Sequence, residues 1–322
     1  MSLTEPTQLK RPAPPEQPEG IDLRVSVGSV SLKNPIIAAS GTFGYGVEFA
    51  HLVDLNRLGG IVVKGLSAQP MAGNPAPRMC ETVGGMVNAI GLQNIGVRAF
   101  VADKLPLLAR LSTPVFANVF GFTSEDYAEV VRVLEDHPGI AGYELNVSCP
   151  NTKHGGIYFS SDPALLAEVV TAARRVAHRP VIVKLSPNVS AIEPFAQAAE
   201  AAGADAISLV NTFVALAIDA HTRRSRIGAG FGGLSGPAIK PIALRLVYQA
   251  AQAVRIPVVG MGGIATGVDA AEFLIAGATA VEVGTATFWD PQSPVRIARE
   301  LATFLRREGI SDVSRIVRTL EL

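Results

Sequence analysis

Short apolar runs and longer segments of helical period alternate along most of this chain. The short runs are "PIIAA" from Pro35, "GIVVK" from Gly60, "PVFANV" from Pro114, "GYELN" from Gly142, "PVIVKL" from Pro180, "AISLV" from Ala206, "PVVGM" from Pro257 and "AVEVG" from Ala280. They read as buried strands, rich in β-branched residues and set off by Gly and Pro. Helices are expected between them. "SEDYAEVVRVLEDH" opens at Ser124 with Ser, Glu and Asp, residue types that suit the positive end of a helix. "DPALLAEVVTAARRVAH" begins with a capping Asp162 followed by Pro163 at the first turn. "AIEPFAQAAEAAG" and "GVDAAEFLIAG" each stop at a glycine, Gly203 and Gly277.

Alternation of this kind forces parallel pairing, because each helical crossover returns the chain to the same edge of the sheet. The eight strand runs fit a closed α/β structure, a (β/α)8 TIM barrel over residues 21–322. An open doubly wound sheet is the runner-up. It asks for a glycine fingerprint after the first strand and an acid after the second; here "ASGTFGYG" has the glycines, but the second strand ends in Lys64. Residues 1–20, rich in Pro, Glu and Gln, read as a loose tail with too little apolar surface to offset its ordering entropy. Two connections are long, Gly65 to Leu92 and Thr212 to Gly236, and are expected to be active-site loops.

In such a barrel, chemistry collects at the C-terminal ends of the strands. Those ends read Ser40, Lys64, Asn118, Asn146, Lys184, Asn211, Gly262–Gly263 and Gly284–Thr285. Asparagines offer donors and an acceptor to a planar heterocycle. Glycines after the seventh and eighth strands let backbone N–H groups approach a phosphate, with a helix N-terminus adding positive charge. Amides, two lysines and a phosphate cradle suit a flavin mononucleotide (FMN). Lys184 is placed to stabilise the negative charge of the reduced flavin.

Composition narrows the class. The chain is 48% hydrophobic and 17% charged with zero formal net charge, so no basic field points to nucleic acid or an anionic membrane. Two cysteines, Cys80 and Cys149, cannot build a disulfide framework. No signal peptide or apolar run of spanning length is seen. A cytoplasmic protein is the expectation. Cys149 lies in "NVSCPNTKHGG" at a strand exit, where a lone cysteine is either a reactive thiolate or an inert buried thiol.

Four motifs, "NAIGLQNIG" (88–96), "NVSCPNTKHGG" (146–156), "GMGGI" (260–264) and "VGT" (283–285), together resemble the dihydroorotate dehydrogenase family. The resemblance is strongest to the class 1 (class 1B) catalytic FMN subunits linked to NAD, and it runs from about Asp22 to the end. It implies a barrel that oxidises dihydroorotate to orotate in pyrimidine synthesis, with one FMN per chain. Cys149 would be the base that removes the C5 proton while a hydride leaves C6 for the flavin. Membrane-bound members of the family carry serine at that position. FMN would be held by Ser40, Lys64, Gly65, Asn118, Asn146, Lys184, Val210, Gly236, Gly262, Gly263, Gly284 and Thr285. The substrate would meet Lys64, Asn88, Ala89, Ile90, Gly91, Leu92, Asn146, Asn211 and Thr212.

The same resemblance implies a homodimeric core joined to an electron-transfer subunit in a heterotetramer. That subunit would carry FAD and a [2Fe–2S] cluster, because two cysteines here fall short of the four a cluster takes. The fumarate-linked class 1A enzymes, also soluble and cysteine-based, are one alternative. A dihydropyrimidine dehydrogenase-type barrel that prefers uracil is another, and a non-catalytic flavin-binding scaffold is a third. An intact Cys149 argues against the third.

Overall fold

The computed structural model describes residues 20–147 and 159–322. Residues 1–19, and with them nearly all of the expected tail, lie outside the described residues, as does Cys149.

The eight apolar runs form one closed parallel barrel. Its strands are β1 (Ile36–Ala38), β2 (Gly60–Val62), β3 (Val115–Val119), β4 (Gly142–Asn146), β5 (Val181–Lys184), β6 (Ala206–Leu209), β7 (Val258–Met261) and β8 (Ala280–Val283). The helices outside include α1 (Val97–Asp103), α2 (Ser124–Glu135), α3 (Pro163–Arg174), α4 (Glu193–Ala201), α5 (Lys240–Ala253), α6 (Gly267–Ala276) and α7 (Ser293–Arg307). Both faces of each barrel strand are covered, which is why these strands read as continuous apolar runs.

Local signals start and stop the helices as their chemistry requires. Thr123 and Asp126 form a capping box on α2, and Thr266 and Asp269 form another on α6. Asp162 accepts from the Ala164 N–H at 2.7 Å to open α3. Gly277 ends α6 with φ +121°.

Side-chain alternation divides the barrel interior into two layers. Ile37, Val62, Phe116, Ile182, Ala206, Val259 and Ala280 form a dry lower layer. A hairpin of Val25–Val27 and Val30–Leu32 closes the N-terminal end, placing Val27 and Leu32 against that layer. Two residues further along the strands the interior changes character, to Lys64, Asn118, Glu144, Lys184, Ser208 and Glu282. Register puts Asn118 level with Glu144, Asn146 with Lys184, and Lys184 with Ser208. The barrel is sealed below and polar above.

The two long connections are more ordered than loops. They supply a four-stranded antiparallel sheet in the order Phe213–Leu216, Phe231–Ser235, Gly85–Asn88, Met79–Thr82. Its strands were hidden in the sequence because several alternate half-buried and exposed positions over only four residues.

Candidate functional site at the barrel mouth

A cavity of about 370 Å³ opens at the C-terminal ends of the strands, flanked by this antiparallel sheet. That volume is of the size small-molecule sites occupy. Every strand-end residue singled out in the sequence lines it: Ser40, Lys64, Asn118, Asn146, Lys184, Asn211, Gly262, Gly263, Gly284 and Thr285. Gly65, Val210 and Gly236, expected near the cofactor, line it too. Of the expected substrate residues, Asn88, Ile90, Gly91, Leu92 and Thr212 line the cavity. Ala89 does not; it is buried in a separate small cluster with Val87, Ala217 and Ile227. The strand alternation explains this, since Ala89 follows the cavity-facing Asn88.

Beneath the mouth lies a buried ionic group. Lys184 Nζ is 3.3 Å from Glu144 Oε1 and 3.5 Å from Glu282 Oε2, and it donates to Ser40 Oγ at 3.2 Å. Asn118 donates to Glu144 Oε1, and Ser208 donates to Glu144 Oε2 at 3.0 Å. Burial disfavours the charged form of Glu144, but Lys184 and these donors outweigh it and hold the carboxyl below its usual range. Burial likewise opposes the charge on Lys184, and the flanking carboxyls more than offset it, so its pKa is raised. Glu282 goes the other way: burial first, then the charge of Glu144, push its pKa well above normal.

Lys64 is different. Its ammonium makes no hydrogen bond or ion pair among the described residues, although it is half-buried and lines the cavity. Burial, then the charge of Arg78, lowers its pKa, with Glu48 opposing.

The other walls are fixed by hydrogen bonds. Asn211 Nδ2 donates to Asn146 Oδ1 at 3.3 Å, and Tyr127 Oη donates to the Asn146 carbonyl at 3.0 Å. Asn88 Nδ2 donates to the Gly233 carbonyl at 3.3 Å. Asn94 pins the 88–92 segment by donating to the Leu92 carbonyl and to Ser67 Oγ. Leu92 adopts φ +58°, a conformation costly for a branched residue, at the cavity wall.

After β7 and β8, the backbone N–H groups of Gly263, Ile264 and Gly284 donate to no partner among the described residues. Gly263 has φ +79°, and a Cβ there would stand 2.9 Å from the Gly236 carbonyl oxygen. Thr285 Oγ1 donates to Ser235 Oγ at 2.9 Å and tethers the turn after β8 to the antiparallel sheet. The N-terminus of α6 is not aimed at this cradle. Its first amides are taken by its own capping box and by Glu300, which accepts from the Gly267 N–H. Gly284, by contrast, is the N-cap of a 3-10 helix over Thr285–Phe288.

A family model described as dihydroorotate dehydrogenase matches residues 22–305. The chain belongs to the dihydroorotate dehydrogenase family. It is 74% identical over 299 residues to a protein of Solibacter usitatus named putative dihydroorotate dehydrogenase A (fumarate), covering 93% of this chain and 98% of that one. It is 54% identical over 301 residues to the protein of Geobacter sulfurreducens named dihydroorotate dehydrogenase B (NAD(+)), catalytic subunit, covering 94% and 99%. The crystal structure of an Eimeria tenella dihydroorotate dehydrogenase in complex with ferulenol superposes with a TM-score of 0.80 at 22% identity, covering 95% of this chain and 91% of that one. At that identity the likeness is one of fold.

Against the dihydroorotate dehydrogenase reading of the sequence, the structure adds residues that the motifs did not mark. Arg78, Met86, Phe120, Ser235 and Glu282 line the cavity, and Glu144 and Ser208 stand behind Lys184. The missed signal was a charge in mid-strand. "YEL" and "VEV" each set a glutamate between apolar residues, on the same side of the strand as the cavity residues Asn146 and Gly284 two positions on.

Proposed function

We propose that this chain is the FMN-dependent catalytic barrel that oxidises (S)-dihydroorotate to orotate. The observation that carries the reading is the cavity itself, lined by asparagine amides, by Lys64, which has no partner among the described residues, and by loop amides with none there either. The residues present fit FMN. Gly263, Ile264 and Gly284 have N–H groups to offer a phosphate, and close packing of Gly263 on the Gly236 carbonyl and Lys240 fixes the loop that presents them. Ser40, Gly65, Asn118, Val210, Gly236, Gly262 and Thr285 would complete its surroundings, and Lys184 would offer its positive charge to the reduced form.

Bound there, FMN supplies the acceptor for the hydride that leaves C6 of dihydroorotate. Cys149, as thiolate, takes the C5 proton, and the C5–C6 double bond of orotate forms. Lys64 meets the negative charge of the substrate. Asn88, Asn146, Asn211 and Thr212 pair the ring amides and the carboxylate, and a site built to pair them rejects analogues that leave them unsatisfied. The 88–92 segment, held by Asn94, forms one wall.

For the electrons, NAD is the proposed final acceptor. They would pass through a partner subunit carrying FAD and a [2Fe–2S] cluster, attached to a homodimeric core as a heterotetramer. The naming of the Geobacter relative supports this. The naming of the Solibacter relative favours a second reading, in which fumarate accepts the electrons directly. No helix among the described residues is long and apolar enough to cross a membrane, and we place the reaction in the cytoplasm. The purified chain, supplied with dihydroorotate, separates the two readings. Turnover with fumarate alone gives the second; turnover with NAD only after adding the iron–sulfur flavoprotein gives the first; turnover with neither acceptor, partner included, contradicts both.

A further inference from the structure

Three ionisable groups share the floor of the cavity, and their charges do not balance if all are ionised. Lys184, Glu144 and Glu282 are buried, and Lys184 is the cation for both carboxyls. With both acids charged, the group carries a net negative charge in a closed, low-dielectric interior, an arrangement that neutralises by taking up a proton. The hydrogen bonds show which acid takes it. Glu144 accepts from Asn118, Ser208, Ser40 and Lys184, so both its oxygens are served as a carboxylate. Glu282 Oε2 is buried and receives no hydrogen bond, and the two carboxyl side chains contact each other. The strands flanking Glu282, β1 and β7, carry no titratable side chain within Ile36–Ala38 or Val258–Met261. Glu144 and Lys184 are thus the ionisable groups that face it.

We propose that Glu282 is a neutral carboxylic acid that donates its proton to Glu144, and that this proton keeps the cavity floor electrically neutral beneath the ligand. Glu282 lines the cavity but acts through Glu144 and Lys184, which makes it a positioning residue. The ligand class it serves is one that gains negative charge in the cavity; under the proposed function, on which this part rests, that is FMN as it is reduced. Loss of the proton would add a negative charge below the ring and oppose reduction. The raised pKa of Glu282 agrees with this placement.

The test compares wild type with Glu282→Gln, a near-isostere of the neutral acid that still has a donor for Glu144. First, apoprotein melting is followed against pH. A raised folded pKa means that the stabilisation is complete below about 4.5, the ordinary glutamate value, and is lost as pH rises through the folded pKa. The wild-type melting temperature minus that of Glu282→Gln should therefore fall with rising pH. A difference that is flat or rises overturns the proposal, as does a glutamine variant that fails to fold. Second, the infrared difference spectrum of the two apoproteins should show a protonated carboxyl C=O stretch in wild type only; its absence overturns the proposal. Third, in the FMN-loaded chain, the flavin dissociation constant of the variant should stay within about threefold of wild type. The midpoint potential should match at acid pH and drop more steeply with pH in wild type. A variant potential displaced at every pH overturns the proposal. The first two readouts need no flavin, so a failure to bind FMN would count against the proposed function alone.

Discussion

Lys184 Nζ lies 3.3 Å from Glu144 Oε1 inside the barrel, with both side chains buried and Asn118, Ser208 and Ser40 grouped around the pair. The polar upper layer is held together by this contact. The residues of this group come from β3, β4, β5 and β6 and from the turn after β1, and Lys64, just past β2, and Glu282, on β8, complete the layer.

Replacing Lys184 with Met leaves the buried Glu144 carboxylate without its cation. The expected loss is about 3–5 kcal/mol at neutral pH, in line with breaking a buried pair from one side. The loss should shrink as pH falls and Glu144 protonates. Chemical denaturation at neutral and acid pH checks this. Equal destabilisation at both would show that lost packing, not charge, is responsible.

Lys64 should behave in the opposite way. Its ammonium has no partner among the described residues and burial lowers its folded pKa, so the charged form is a cost to the fold. Wild type should gain stability relative to Lys64→Met as pH rises from that lowered pKa toward 10.5. At neutral pH the variant should melt no lower than wild type, while its affinity for orotate falls about 10- to 100-fold, the worth of one charge-assisted hydrogen bond. Calorimetric melting and orotate titration read the two effects separately. A variant that loses stability without losing affinity would mean that Lys64 is structural.

Gly263→Ala should act locally. Its φ of +79° costs an alanine about 1–2 kcal/mol, and the new Cβ would press on the Gly236 carbonyl. FMN binding should suffer more than folding does, because the loop amides that would hold the phosphate are displaced. Flavin content after purification, set beside the melting temperature, tests this.

The barrel was legible in the sequence because each strand is buried on both faces and because α2, α3 and α6 each open on a capping side chain. "DPALL" and "GVDAAEFLIAG" announced their ends through Asp162 and Gly277, and both were found where expected. The cavity residues were legible because a barrel gathers its strand ends at one mouth, so Ser40, Lys64 and Asn211 meet although far apart in the chain. The antiparallel sheet was not legible, since Phe213–Leu216 and Met79–Thr82 are short and alternate too briefly to stand out. Glu144 and Glu282 were not legible either. Their role depends on which interior layer they occupy, and that follows from barrel closure and register rather than from any local pattern. Ala89 shows the converse, a residue of the right motif that alternation turns away from the cavity.

The central claim is tested most directly by mixing the FMN-loaded chain with dihydroorotate in the absence of oxygen and following the flavin absorbance. The account predicts rapid bleaching with release of orotate. In Cys149→Ala the bleaching should slow by about 10²- to 10⁴-fold, the contribution of a positioned base, while flavin stays bound. A flavin that remains oxidised in wild type, or one that bleaches equally fast without Cys149, would contradict the account.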